Sequence, residues 1–375
     1  VNNMKDVFPF VLMRGGTSKA VFFKKEEMPS DSNVWEDFLT DVMGSPDPTQ
    51  IDGLGGANSL TSKVAIISKS DRKGFDVDYL FAQVDVFKKR VAWDSNCGNI
   101  SSAVGPFSLY ENLVTGPEQG TAYVNIFNVN TGKRILAEVE VKDGKPVTRG
   151  QFSIPGVPGT ASPIWLSFYD PEGSVYGKFL PANKIITTLS TSRGPIDINI
   201  VDAGTPLVMV MCKDVGLSGT ELPNDFDLET LKFLEEIRQR AASLCTTGED
   251  KLYPECSAAI PKIAIIAPKN PYKTLSGENL SAKEMDLSVR MLSMQKPHNA
   301  LAITGAISIA SSSVLENSFV RQIIGNFKST IKIGHPGGIM EVEIAAKAEG
   351  GVKFVKVLRT ARKIAKGVVY TKEVY

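Results

Sequence analysis

In the first 150 residues, short apolar runs alternate with polar or glycine-bearing breaks. FPFVLMRGG (8–16), KAVFFKK (19–25), TSKVAIISK (61–69), VDYLFAQVDVF (77–87) and TAYVNIFNVNTG (121–132) are rich in β-branched and aromatic residues, which predicts strands. KRILAEVEVKDGK (133–145) alternates apolar and polar through Val141, with Asp143-Gly144 as its turn. One helix is expected among these strands, DSNCGNISSAVGPFSLYENLV (94–114). It opens on the capping-type residues Asp94, Ser95 and Asn96 and carries Ala, Ser and Gly on most faces. A helix of such small, uncharged residues is expected to be buried.

From about 150 to 195 the pattern breaks into Pro- and Gly-rich sequence, SIPGVPGTASPIWLSFYDPEGS (153–174), and the crossover between halves is placed near its end. The second half repeats the logic. It offers strands (INIVDAGTPLVMVMC, KIAIIAP), a polar amphipathic helix (DLETLKFLEEIRQRAASLC, 227–245) and a second small-residue helix (HNALAITGAISIASSSVL, 298–315). Closing strands follow, STIKIGHPGGIMEVEIAAK and GGVKFVKVLRTARKIAKGVVY. No short repeat, low-complexity tract or charge run interrupts them. Two β-rich halves, each with one central small-residue helix, predict a pseudo-twofold α+β protein.

With 375 residues, 42% hydrophobic and 22% charged, the chain has material for two cores. The expected domains are 1–182 and 183–375, the last strand being free to return to the first. Lys plus Arg number 42 against 41 Asp plus Glu, so no global field points to nucleic acid or to a membrane surface. VFPFVLM (7–13) is too short for a membrane span and lacks a basic leader and a cleavage site. Val1-Asn2-Asn3, ahead of Met4, are left out of fold reasoning. Cys97, Cys212, Cys245 and Cys256 form no CxxC, and His298 and His335 lie far from them in sequence, so zinc-type spacing is absent. Sparse Cys fits a reducing compartment, and a cytoplasmic protein is expected.

Three stretches carry candidate chemistry. Cys97 sits among Asn96, Gly98 and Asn99 at a helix start. A buried structural thiol is the bland reading. A first-turn Cys, however, meets unsatisfied N–H groups that favour the thiolate. DGLGGANSLTSK, from Asp52 to Lys63, looks like a phosphate loop but lacks GK[ST] and leads into a strand, so a nucleotide site is rejected. Lys63 is either a surface lysine at a strand edge or a lysine desolvated enough to act as a base. LMRGGTSK (12–19) is either a plain Gly-Gly turn or a carboxylate cradle of Arg14, Thr17, Ser18 and the N–H groups of Gly15 and Gly16.

Together these stretches resemble the 2-methylaconitate cis–trans isomerases and their aconitate and allylic isomerase relatives, within the diaminopimelate-epimerase-like superfamily. The resemblance rests on Arg14-Gly15-Gly16-Thr17-Ser18-Lys19, Thr61-Ser62-Lys63 after the Gly-rich loop, and Asn96-Cys97-Gly98-Asn99. It continues through PGVPGTASPI, DAGTP (202–206), TGA (304–306) and GHPGG (334–338), in order over nearly the full length. It implies two pseudo-symmetric β-rich domains, each wrapping a central helix, with the active site in the interdomain cleft and the two helix N-termini facing each other there. Lys63 and Cys97 are then the catalytic pair. Asn58, Ser59, Ser62, Asn96, Gly98 and Asn99 join the Arg14–Ser18 loop in substrate binding, with His298, Thr304, Gly305, Ala306, His335, Gly337 and Gly338 from the second half. The superfamily's two-base epimerases open each central helix with a Cys, whereas the second helix here begins HNALAITGA. Chemistry by two opposed thiols is therefore not expected.

The implied substrate is an unsaturated tri- or dicarboxylate. Removing a methylene proton beside a C=C gives a delocalised carbanion whose former double bond rotates. Reprotonation at the same carbon changes geometry, and at the far end it moves the double bond, as for a 4-oxalomesaconate- or methylitaconate-type acid. No metal or organic cofactor is expected, and a homodimer is expected. The competing class is a non-catalytic tricarboxylate-binding accessory protein.

Overall fold

The computed structural model describes residues 5–94 and 96–375. Its main elements in chain order are β1 (Val7–Gly15), β2 (Ser18–Lys24), α1 (Trp35–Met43), β3 (Lys63–Lys69), β4 (Val77–Val84), α2 (Gly98–Tyr110), β5 (Gln119–Asn128) and β6 (Lys133–Lys142). Then come β7 (Ile164–Tyr169), β8 (Thr187–Thr191), β9 (Gly194–Ala203), β10 (Thr205–Met211), α3 (Leu228–Thr247), β11 (Lys262–Pro268) and β12 (Leu287–Ser293). The last are α4 (Ile303–Ser312), α5 (Phe319–Ile324), β13 (Thr330–His335), β14 (Gly338–Ala346), β15 (Val352–Arg359) and β16 (Ala361–Tyr370). The chain forms two compact units, Val1–Leu166 with Leu358–Tyr375, and Ser167–Val357.

Both units run through one pattern of pairings. In the first, β1–β2, β3–β4 and β5–β6 are antiparallel, while β2–β3 and β4–β5 are parallel. In the second, β9–β10, β11–β12 and β13–β14 are antiparallel, while β10–β11 and β12–β13 are parallel. A parallel step demands a crossover. α1 and α2 occupy the two crossovers of the first unit, and α3 and α4 the same two places in the second. The fold is α+β, a β-rich unit built twice around a central helix.

That central position explains the odd composition of α2 and α4. Every residue of α2 except Tyr110 is buried, as is every residue of α4. A helix covered on all sides has no use for a polar stripe. α2 packs on β1, β2, β3, β5, β6 and β16, and its small residues set how near the strands come. A Cβ added at Gly105 would stand 3.0 Å from the side chains of Ala137 and Val139. The buried hydroxyls bond back along the helix, Ser102 to Asn99 O at 2.6 Å and Ser108 to Val104 O at 2.7 Å. Ile100, Val104 and Phe107 supply the apolar burial, each worth about 1.5–3 kcal/mol.

Several elements differ from the sequence expectation. The first unit holds a second helix, α1, whose Phe38, Leu39, Val42 and Met43 are buried against β1–β4 and which ends at left-handed Gly44. β7, β8 and β12 are strands that the pattern did not mark. α2 starts at Gly98 because Cys97 has extended backbone, φ −124°; of the expected capping residues, Ser95 lies outside the described residues. α4 starts at Ile303, not His298, because residues before it are tied elsewhere. The His298 N–H donates to Met291 O at 2.8 Å, and the Ala300 N–H to His298 Nδ1 at 2.9 Å. Asp143 and Gly144 do form the turn, with φ 53° and 68°. Among the described residues, no helix is long and apolar enough to cross a membrane.

Candidate active site

Lys63 opens β3 directly opposite Gln83 of β4. Side chains alternate along strands, so Lys63, Ala65 and Ile67 share a face with Gln83, Phe81 and Tyr79. That face turns Lys63 inward, leaving it 7% exposed. Its Nζ donates to Gln83 Oε1 at 2.6 Å and lies 5.2 Å from the centre of the Phe81 ring. Burial pushes the Lys63 pKa below its ordinary value, and Cys97 nearby pulls it back; among the described residues, no carboxylate bears on it. Lys63 is thus a buried lysine and not a surface lysine at a strand edge.

Gln83 is held from behind. Its Nε2 donates to Ser59 O at 3.1 Å and to Ser62 O at 2.9 Å. The Gly-rich loop therefore ends by clamping the partner of Lys63. Ser62 itself is buried, with its hydroxyl donating to Val84 O at 2.9 Å and accepting from Gln50 at 2.8 Å. Asn58 is exposed and turns the loop, its Oδ1 accepting from the Leu60 N–H at 2.9 Å.

Cys97 is the N-cap of α2, and its side chain makes no cap hydrogen bond. The first-turn N–H groups, which begin at buried Gly98, thus lack a side-chain cap from Cys97. The Cys97 carbonyl accepts from the Tyr79 hydroxyl at 3.4 Å and from Ser101 N and Oγ, both at 3.1 Å. The half-buried thiol points at the Ser18 hydroxyl, Sγ to Oγ 3.9 Å. Asn96, just before it, accepts from Asn128 Nδ2 at 2.7 Å.

The Arg14–Ser18 turn is packed onto the same helix end. A Cβ at Gly15 would stand 2.6 Å from Asn99 O, and one at Gly16, φ +53°, would stand 2.0 Å from Asn99 Oδ1. Only glycine lets the backbone come so near. Asn99 Oδ1 then accepts from the Thr17 N–H at 3.3 Å. Arg14 is half-buried and donates to Gly16 O at 2.9 Å and Thr360 O at 3.0 Å. Burial and Arg362 both lower its pKa. Thr17 Oγ1 is buried without a hydrogen-bond partner among the described residues. Lys63, Cys97 and this turn are one cluster within the first unit.

Of the second-unit candidates, His335, Gly337, Gly338 and the His298 segment come together at one hairpin. His335 ends β13, is buried, and its Nδ1 accepts from the Gly337 N–H at 3.2 Å. Gly338 opens β14 opposite it. Tyr272 donates to His335 O at 2.7 Å beneath this hairpin, and the Arg290 guanidinium stacks 4.6 Å from the Tyr272 ring. A Cβ at Gly337 would stand 3.3 Å from Asn299 O, which places the His298 segment against the hairpin. Thr304, Gly305 and Ala306 lie at the buried start of α4, whose N-cap, Ala302, supplies no side-chain cap. Ala302 holds the position in α4 that Cys97 holds in α2, so the departure read from the sequence is seated at the helix cap itself.

Sequence reasoning missed Gln83, Phe81 and Tyr79. The alternation of VDYLFAQV was visible, but strand register, which sets Gln83 against Lys63, was not. Among the described residues, no group of three or more His, Cys, Asp or Glu is placed to hold a metal ion.

A family described as PrpF protein matches residues 5–372. The chain is 40% identical over 371 residues to the 3-methylitaconate isomerase of Eubacterium barkeri, covering 97% of each. It is 35% identical over 376 residues to a 2-methyl-aconitate isomerase of Shewanella oneidensis, covering 95% of each. A crystal structure of methylitaconate-delta-isomerase superposes with TM-score 0.84 at 39% identity, over 99% of this chain and 96% of that one. A hydroxyproline epimerase from Agrobacterium vitis shares the fold, with TM-score 0.56 at 12% identity over 98% of this chain and 94% of its own.

Proposed function

The chain belongs to the PrpF protein family and is an isomerase; from that premise we propose that it isomerises an unsaturated tricarboxylate, cis to trans, with aconitate or 2-methylaconitate as substrate. The observation that carries this reading is the buried Lys63, its pKa lowered by burial and its Nζ bonded to a neutral amide. An ordinary lysine, with a pKa of about 10.4, is a poor base near neutrality, and burial moves Lys63 in the direction a base requires.

In the proposed reaction, neutral Lys63 removes a proton from the methylene carbon next to the double bond. The electron pair delocalises over the C=C and the attached carboxylate, and the former double bond turns as a single bond. The ammonium of Lys63 then returns the proton to the same carbon, so nothing is gained or lost overall. The N-terminal end of α2 and the Arg14 guanidinium stabilise the accumulating negative charge. Preorganised donors of this kind are worth about 3–4 kcal/mol each. Cys97 donates to a substrate carboxylate or shapes the pocket beside Lys63. Return of the proton to the far carbon would give the allylic shift instead. The 40% identity to a methylitaconate isomerase favours that second reading.

The test is a panel of cis-aconitate, 2-methylaconitate, methylitaconate and 4-oxalomesaconate in D2O, followed by NMR. We expect deuterium at the allylic carbon with cis–trans interconversion, and loss of nearly all turnover in Lys63→Ala. A Lys63→Ala protein within a few-fold of wild type overturns the mechanism. Double-bond migration without geometric change selects the allylic reading.

A further inference from the structure

Gln83 deepens this reading, on which the inference rests. We propose that Gln83 is the positioning residue that keeps Lys63 titratable, by offering its Nζ a fixed acceptor that carries no charge. Three observations support it. The antiparallel register places Lys63 and Gln83 directly opposite each other at the mouth of the β3–β4 pair. Both protons of the Gln83 amide are spent on Ser59 O and Ser62 O, so a flip would break two hydrogen bonds and turn an NH2 group on the Lys63 nitrogen. The oxygen so fixed stands 2.6 Å from Nζ, inside a buried site where, among the described residues, no carboxylate bears on the amine.

The choice of amide over carboxylate then has a chemical reason. An ammonium and a neutral amine both carry N–H groups, and an amide oxygen accepts from either. The lysine is held in place before and after it takes a proton. A carboxylate at the same spot would hold the ammonium far better than the amine and raise the pKa, undoing the effect of burial. Phe81, on the same face of β4, adds only the weak attraction of a ring at 5.2 Å. Tyr79, two residues further along, reaches the Cys97 carbonyl, so one strand face indexes both candidate catalytic residues.

The experiment compares wild type, Gln83→Glu and Gln83→Met. One readout is the pH profile of kcat/KM on whichever acid of the panel turns over. The other is the pH dependence of acetylation at Lys63 by acetic anhydride, read by peptide mass spectrometry without substrate. Gln83→Glu should move the Lys63 midpoint and the alkaline-rising limb of the profile upward by about one pH unit or more. Gln83→Met, which removes the acceptor and adds no charge, should move the midpoint the other way and lower kcat at least about tenfold with little change in KM. Opposite shifts are a signature that loosened packing does not produce. Midpoints that stay together, or move in the same direction in both variants, overturn the inference while leaving Lys63 as the base. Turnover retained by Lys63→Ala overturns both.

Discussion

Replacing Gly16 with Ala tests the contact that joins the Arg14–Ser18 turn to the α2 end. At φ +53° an L-residue is strained by roughly 1–2 kcal/mol. The new Cβ would stand 2.0 Å from Asn99 Oδ1, the end of a side chain that can swing aside. Doing so breaks the Thr17 N–H to Asn99 Oδ1 bond of 3.3 Å, worth about 0.5–1.5 kcal/mol. The expected cost of Gly16→Ala is therefore about 1.5–3.5 kcal/mol. In an Asn99→Ala background the bond is already gone and only the backbone strain remains. Urea unfolding of the two single variants, the double variant and wild type should give a coupling of about 0.5–1.5 kcal/mol. Gly15→Ala provides the contrast. Its Cβ would meet backbone, Asn99 O at 2.6 Å and Ile100 Cα at 3.0 Å, so Asn99→Ala should not rescue it. A Gly16→Ala protein within about 0.5 kcal/mol of wild type, or strict additivity with Asn99→Ala, would refute the argument.

Three further outcomes are expected. Lys63→Met should stabilise the protein at neutral pH. The lowered folded-state pKa means the folded chain binds fewer protons than the unfolded one between that pKa and the ordinary value of about 10.4. The penalty is full below the window and fades as pH rises through it, so variant and wild type should converge on the alkaline side; parallel stability curves would contradict this. Iodoacetamide should modify Cys97 in ligand-free protein, and substrate should protect it. Cys212 is buried and Cys245 and Cys256 are half-buried, so peptide mapping must assign the label, and an unreactive Cys97 would mark it as structural. Dialysis against a chelator should leave activity unchanged, and activity lost and then restored by one metal would reverse that expectation.

The strands of the first unit were legible because period-2 alternation and turn chemistry agree there, as at Asp143-Gly144. Lys63 and Cys97 were legible because each starts an element out of a polar, glycine-bearing loop. α1 escaped notice although Phe38, Leu39, Val42 and Met43 have helical spacing. Its nine residues follow polar sequence and read as a break between strands. β12 escaped because Arg290 interrupts its apolar run, and that cation is buried with its Nη1 on Val289 O at 2.9 Å. Gln83 was out of reach for a deeper reason: a cross-strand partner is chosen by register, and register is a property of two segments together. The internal repeat was legible only as a rhythm of strands and small-residue helices, because what repeats is the order of parallel and antiparallel steps.

The return of the C-terminal strand to β1 has a consequence for how the protein is made. Arg14 bonds to Thr360, 346 residues further along, and β16 pairs along the whole of β1. At roughly 5–20 residues per second, a ribosome needs about 20–70 s between the two. All of Ser167–Val357 emerges in that interval and holds what it needs for its own repeat of pairings. The first unit meanwhile waits with the outer edge of β1 unpaired, an edge that invites other strands. A chain ended at Val357 would hold all of the second unit, while its Arg14 turn would lack the Thr360 carbonyl. The earliest-made part of the candidate site is thus among the last to be finished.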